Sequence, residues 1–140
     1  MEGKPFQIGK GSVLREGIDA TIIACGVMVA IALEASELLA EQGISVTVIN
    51  MSSIKPIDKA LILHWARETG AILTAEEHSI IGGLGSAVAE VLSEDYPVFL
   101  KRIGVEDAFG QSGKPDELMK HYGLTKENLV QAVQTLVDKK

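Results

Sequence analysis

Short apolar runs alternate with helix-length amphipathic stretches along the whole chain, and this alternation limits the fold more than any other feature of the sequence. Ala20 to Cys25 is largely apolar and carries the β-branched Thr21, Ile22 and Ile23, the signature of a strand buried on both faces. Val46 to Asn50, Ala71 to Ala75 and Val98 to Ile103 are predicted to be further strands. Between them, apolar spacing predicts helices over Val27 to Gln42, from an Asp58 N-cap to about Glu68, and from Gly83 to about Glu94. In the first helix Val27, Ile31, Ala35 and Leu38 are expected to form the buried stripe, with Glu34, Glu37 and Glu41 in solvent. In the third, Leu84, Val88 and Val91 should face inward, with Glu90 and Glu94 outward. Gly43 and Gly70 are placed to end helices. Val13-Leu14-Arg15, closed by Glu16-Gly17, predicts a first edge strand or arm. Beyond the last strand, Pro115, Asp116 and Glu117 open a short helix that Gly123 ends. Thr125 then caps a final helix whose Leu129, Val133 and Leu136 face the sheet. The fold class is α/β: a three-layer α/β/α sandwich around a mixed, mostly parallel sheet of five strands.

A chain of 140 residues with 46% hydrophobic and 23% charged residues has the make-up of one globular domain. Aromatics are only 4%, so the core must be aliphatic. A net charge of −6 argues against nucleic acid and anionic membranes as partners, since phosphate binding needs clustered Lys and Arg. Cys25 is the single cysteine, which rules out an internal disulfide and a cysteine-based metal cluster. It is expected to be a small buried hydrophobe. No signal peptide or bilayer-length apolar run is visible, and a reducing cytoplasm is the expected setting.

The chemistry-bearing residues gather at Glu76-Glu77-His78-Ser79-Ile80-Ile81-Gly82-Gly83-Leu84-Gly85-Ser86, where a strand should end and a helix begin. Open α/β sheets hold ligands or partners at such junctions. Glu76 and Glu77 are adjacent, point to opposite faces and do not form an acid/base dyad. His78 at the strand tip fits a general acid/base, a structural hydrogen bond or an interface. The turn through Gly82, Gly83, Gly85 and Ser86 has two readings. It exposes backbone N–H groups suited to an anion, or it allows tight turning and close packing of helix on sheet. It is neither a P-loop nor Gly-x-Gly-x-x-Gly. A second loop carries Asp107, Phe109, Ser112 and Gly113; Ser112 lacks nucleophile-elbow spacing and fits a structural loop or subunit contact. His64 and His121 have no partner at metal-ligand spacing, and Glu94-Asp95 and Glu106-Asp107 lack calcium-loop spacing.

Several segments, in order, resemble the C-terminal domain of transketolase. They are Ile54-Lys55-Pro56-Ile57-Asp58, then Ile72-Leu73-Thr74-Ala75-Glu76-Glu77-His78, then Gly82-Gly83-Leu84-Gly85-Ser86-Ala87-Val88. Ser112-Gly113-Lys114-Pro115-Asp116-Glu117-Leu118 and Tyr122-Gly123-Leu124 complete the series. The resemblance runs from about Gly17 to Val137, and the Ser-Gly-Lys-Pro loop looks most like shorter or split transketolases. The same domain occurs in deoxyxylulose-phosphate synthase and in the E1 β subunit of 2-oxoacid dehydrogenases. Phe6 to Gly17 resembles the linker after a pyrimidine-binding domain, which divides the chain into a linker or arm over 1–17 and the domain over 18–140.

The resemblance implies that thiamine diphosphate and Mg²⁺ sit between two other domains, one binding the diphosphate and the other the aminopyrimidine. Those domains, on the same or a separate chain, are the expected partners, within a homodimer of the full assembly. The implied reaction, in the pentose phosphate pathway, moves a two-carbon ketol unit from a ketose phosphate to an aldose phosphate. This chain is expected to be a fragment of that enzyme, inactive alone, with no catalytic, cofactor or metal residue of its own. Glu77, His78, Gly82, Gly83, Gly85, Ser86 and Ser112 are its candidate interface or anion-site residues. Alternatives are the same domain of deoxyxylulose-phosphate synthase or of the E1 β subunit, or a free-standing module that binds a phosphorylated metabolite.

Overall fold

Aliphatic strands that are apolar on both faces can only lie in the middle of a covered sheet, and the second strand of the chain occupies that place. The structure, a computed structural model, describes residues 10–79, 82–105 and 123–140. In chain order it contains β1 (Ser12–Arg15), β2 (Ala20–Ala24), α1 (Met28–Glu41), β3 (Val46–Asn50) and α2 (Lys59–Thr69). β4 (Ala71–Ser79), α3 (Leu84–Asp95), β5 (Phe99–Val105) and α4 (Lys126–Lys139) follow. The strand order is β1-β3-β2-β4-β5. β2 runs parallel to β3 on one side and β4 on the other, β5 joins β4 in parallel, and β1 alone is antiparallel. This is the expected three-layer α/β/α sandwich with a mixed five-stranded sheet.

Alternation along the strands divides the core into two layers. Ala20, Ile22 and Ala24 of β2, with Val48 and Leu73, pack under α1 and α4. Ile23, Ile49 and Ile72 pack on the other face, under α2 and α3. Local chemistry sets the helix ends. Asp58 accepts from the Leu61 N–H at 3.2 Å, and Gly70 closes α2 in the left-handed conformation at φ 71°. Thr125 accepts from the Asn128 N–H at 3.2 Å at the start of α4.

Two elements differ from the expectation. In α1 the buried residues are Met28, Ala32, Ala35, Ser36 and Leu39, not a stripe through Val27 and Leu38. Val27 is exposed, while Ile31 and Leu38 sit at the margin of the layer. The helix is apolar over most of its circumference, so its phase is fixed by contact, and the small Ala32, Ala35 and Ser36 let it lie close on the sheet. β4 also continues through Glu76, Glu77 and His78 to Ser79, which pairs with Val105, although the apolar run stops at Ala75. The short helix expected after Pro115 lies outside the described residues.

Both ends of the described chain are pinned to this frame. The Gly11 N–H donates to Asp58 Oδ2 at 2.9 Å, so one carboxylate caps α2 and holds the arm. The Gly17 N–H donates to Thr47 Oγ1 at 2.8 Å, and that hydroxyl donates back to the Gly17 carbonyl at 2.9 Å. At the other end Lys140 Nζ donates to the carbonyls of Asp19 and Thr69, both at 2.7 Å.

Gly17 touches β3 so closely that a Cβ there would stand 2.3 Å from the Val46 backbone nitrogen, whereas a Cβ on Gly43 would meet nothing within 4 Å. Gly17→Ala is therefore expected to cost about 3 kcal/mol or more, because the backbone it strikes has no room to yield. Gly43→Ala should cost only about 1–2 kcal/mol, the price of a left-handed alanine. Urea unfolding of the two variants measures both values; equal losses would contradict the close contact at Gly17.

Candidate functional site

β2 and β4 are neighbours, but their following connections leave toward opposite faces: β2 leads to α1 and β4 to α3. Their C-terminal ends thus bound the crevice in which open α/β sheets hold ligands. Cys25 and Gly26 form one side of this mouth, and Glu76, Glu77 and the turn into α3 form the other.

α3 begins without a side-chain cap of its own, since its N-cap is Gly83. The first N–H groups of a helix have no intrahelical partner and carry the positive end of its dipole. Glu76 meets that need from the sheet. Its side chain is fully buried under α3, one oxygen accepting from the Leu84 N–H at 2.8 Å and the other from the Gly85 N–H at 2.7 Å. A buried carboxylate is costly unless paired and hydrogen-bonded, and here each oxygen has a backbone donor. Gly85 brings the helix near enough for this. A Cβ at that position would stand 2.9 Å from Arg102 Cδ and 3.0 Å from Thr74 Oγ1. Thr74 precedes Glu76 by two residues on the same face of β4, and its buried hydroxyl has no hydrogen-bond partner among the described residues.

Glu77 points the other way and is exposed. Its Oε1 lies 3.3 Å from the place a Cβ on Gly26 would take, so it borders the mouth beside Cys25. Cys25 is half-buried, and burial, then the Glu76 and Glu77 charges, push its thiol pKa up. A thiol held protonated in this way is a poor nucleophile.

Gly82, Gly83 and Ser86 lie together on a groove of ≈ 410 Å³ between α3 and the segment leading into α2, facing Lys55 and Lys59. The Gly82 N–H donates to Ser86 Oγ at 3.1 Å. Gly85 faces the sheet instead, and Glu77 does not line this groove. The backbone of His78 continues β4, but its side chain and all of Ser112 lie outside the described residues. The candidate set is thus divided between two places, the β2–β4 mouth and the α2–α3 groove. Sequence reasoning missed Glu76, the residue that closes the helix end. The available signal was a charged residue in a strand followed by a helix start with no Ser, Thr, Asp or Asn to cap it.

The Glu76 carboxylate and the Leu84 and Gly85 N–H groups satisfy one another. The Glu76 carboxylate is engaged on both oxygens, and the two N–H groups that would cradle a phosphate are already used. The residues present therefore do not fit a diphosphate at this helix end.

Comparison with known proteins agrees with the fold. Residues 9–129 match the family model described as the transketolase C-terminal domain. The chain is 50% identical over 139 residues to the 6-deoxy-6-sulfo-D-fructose transketolase subunit of Clostridium sp. (strain MSTE9), covering 99% of this chain and 43% of that protein. It is 46% identical over 132 residues to a 1-deoxy-D-xylulose-5-phosphate synthase of Heliobacterium modesticaldum, covering 94% of this chain and 20% of that one. A solved structure described as a split gene transketolase, inactive beta4 tetramer, matches with a TM-score of 0.90 at 54% identity, over 95% of this chain and 44% of the other. The chain spans less than half the length of each of these relatives.

Glu76→Gln replaces an acceptor with an amide NH₂ against backbone donors and should cost about 1.5–3 kcal/mol in urea unfolding. Glu77→Gln, on an exposed carboxylate, should fall within about 0.5 kcal/mol of the parent. Equal effects would contradict the division of roles between the two glutamates. The raised Cys25 pKa favours the folded state's protonated thiol, so its effect on stability is absent below the ordinary thiol range and turns destabilising as pH rises through it. Iodoacetamide should accordingly modify Cys25 faster in Glu77→Gln than in the parent at pH 8. Unchanged rates would remove Glu77 from the surroundings of Cys25.

Proposed function

The chain belongs to the transketolase C-terminal-domain family, and on that premise we propose that it is the non-catalytic C-terminal section of a thiamine-diphosphate enzyme that transfers a two-carbon ketol unit between sugar phosphates. The observation that carries the proposal is the closure of α3 by Glu76. The most site-like position in the domain is filled by its own side chain, which leaves the domain suited to structural work. Thiamine diphosphate and Mg²⁺ belong, in this reading, to diphosphate- and pyrimidine-binding domains on the same or a partner chain. The whole assembles as a dimer of complete units. The β2–β4 mouth, with Glu77 and the strand carrying His78, and the rim formed by Gly82, Gly83 and Ser86 are the surfaces proposed to meet those domains.

A second reading has specific support. The 46% identity to a 1-deoxy-D-xylulose-5-phosphate synthase favours the same structural role in an enzyme that condenses pyruvate with glyceraldehyde 3-phosphate. A free-standing phosphometabolite module is disfavoured because the helix-end donors it would use are engaged.

Two assays on the assembled enzyme separate the readings. Ketol transfer from xylulose 5-phosphate supports the first, and carboxylate loss from pyruvate with glyceraldehyde 3-phosphate supports the second. Calorimetry of the chain alone with thiamine diphosphate and Mg²⁺, and with inorganic phosphate, should show no saturable binding. Saturable phosphate binding abolished by Gly83→Asp would overturn the structural role and favour the module.

A further inference from the structure

Asp58 serves two distant segments of the chain at once. Its Oδ1 accepts from the Leu61 N–H and caps α2, while its Oδ2 accepts from the Gly11 N–H of the arm. The side chain is buried, and a buried carboxylate oxygen that loses its donor is costly. One planar carboxylate cannot aim its two oxygens independently, so the position of the arm and the start of α2 are set together. Packing repeats the link. A Cβ on Gly11 would stand 2.8 Å from Leu61 Cδ2 and 3.1 Å from Met51 Cε, so the arm lies directly on the first turn of α2. From there β1 continues along β3, with a bulge at Leu14, and its Val13 joins Ile54, Ile57 and Leu61 in one core layer.

The same joint borders the α2–α3 groove. Ile54, Lys55, Ile57 and Lys59, which flank Asp58 in sequence, form one wall, and Gly83 and Ser86 belong to the other. Two hydrogen bonds of the first wall are local: Ser53 Oγ donates to the Pro56 carbonyl at 2.8 Å, and the Lys59 N–H to the Ile57 carbonyl at 2.9 Å. They shape the segment without fastening it to the rest of the fold. Lys59 adds an exposed ion pair with Asp95 at 3.5 Å, of a kind that contributes little. The bond from Asp58 to Gly11 reaches across the fold and is shielded from solvent, and it is the one suited to hold this wall.

We propose that Asp58 makes the arm and the α2–α3 groove a single conformational unit. Displacing Gly11 from Asp58 uncaps α2 and loosens the wall from Ile54 to Lys59. Linkage makes the effect reciprocal: whatever favours the ordered wall favours the docked arm by the same factor. The groove is thereby a place from which the arm is controlled, and the arm a strap that shapes the groove.

The test uses the full chain, followed by amide hydrogen exchange and by NMR of its isoleucine methyl groups. Gly11→Pro removes the donor on the arm and leaves Asp58 in place. Asp58→Asn keeps a good N-cap oxygen but offers one acceptor where two donors meet. Gly11→Pro is expected to speed exchange of the Leu61 amide by about fivefold or more, the size of effect a helix cap has. It should also shift the Ile54 and Ile57 methyl signals. The Asn128 amide, capped by Thr125 on α4, and the Ile103 methyl should stay as in the parent. Asp58→Asn should speed the amides that pair β1 with β3 by a similar factor. A Leu61 amide and groove methyls unchanged in Gly11→Pro would overturn the proposal, because the arm would then move without the wall. Unchanged β1 amides in Asp58→Asn would overturn it from the other side. Equal speeding at Asn128 would show a general loss of stability in place of a joint, and would overturn it as well.

Discussion

The carboxylate of Glu76, shared between the N–H groups of Leu84 and Gly85, fixes the start of α3 on the sheet. It joins β4 of the central sheet to the first turn of α3 and lies wholly out of solvent. Three features depend on it. It supplies the missing cap of a helix whose N-cap is glycine. It sets α3 against β4 and β5 at the distance that Gly85 allows, close enough that a methyl group there would strike Arg102 and Thr74. It also engages two of the N–H donors that make helix N-termini in this fold class attractive to phosphate. A site that looks from its glycines like a phosphate cradle is, in this chain, an intramolecular joint.

Much of the architecture is legible in the sequence because the relevant forces are local. Asp58 and Gly70 delimit α2, and Thr125 starts α4, through hydrogen bonds and backbone preferences confined to a few residues. The aliphatic runs announce the buried strands in the same way. What was not legible depends on contacts distant in sequence. The phase of α1 is decided by how its small residues meet the sheet, since its apolar residues surround most of the helix. β4 extends past Ala75 because a glutamate is tolerated inside it once two backbone donors eight and nine residues later are brought to it. The bulge at Leu14 follows from pairing with β3, whose sequence lies more than thirty residues away. In the candidate site, the glycine turn is legible as the junction of β4 and α3, but its hydrogen bonding turns on Glu76, whose partners no periodicity reveals.

The domain is held as a rigid body at both of its described ends. The arm is fixed at Gly11 and Gly17, and Lys140 bridges the carbonyls of Asp19 and Thr69, tying the end of α4 to the entrance of β2 and the exit of α2. That is consistent with a family in which this domain is one section of a longer enzyme, and with a chain covering less than half of the relatives it matches.

Native-state hydrogen exchange at the Leu84 and Gly85 amides tests the central claim most directly. First-turn helix amides without a partner exchange readily, whereas amides bonded within the core exchange only through larger opening. If Glu76 closes the helix, both amides should be protected to the level of the β4 core, and millimolar inorganic phosphate should leave their rates unchanged. Rapid exchange at both amides, slowed on adding phosphate, would show an open anion site and contradict the account.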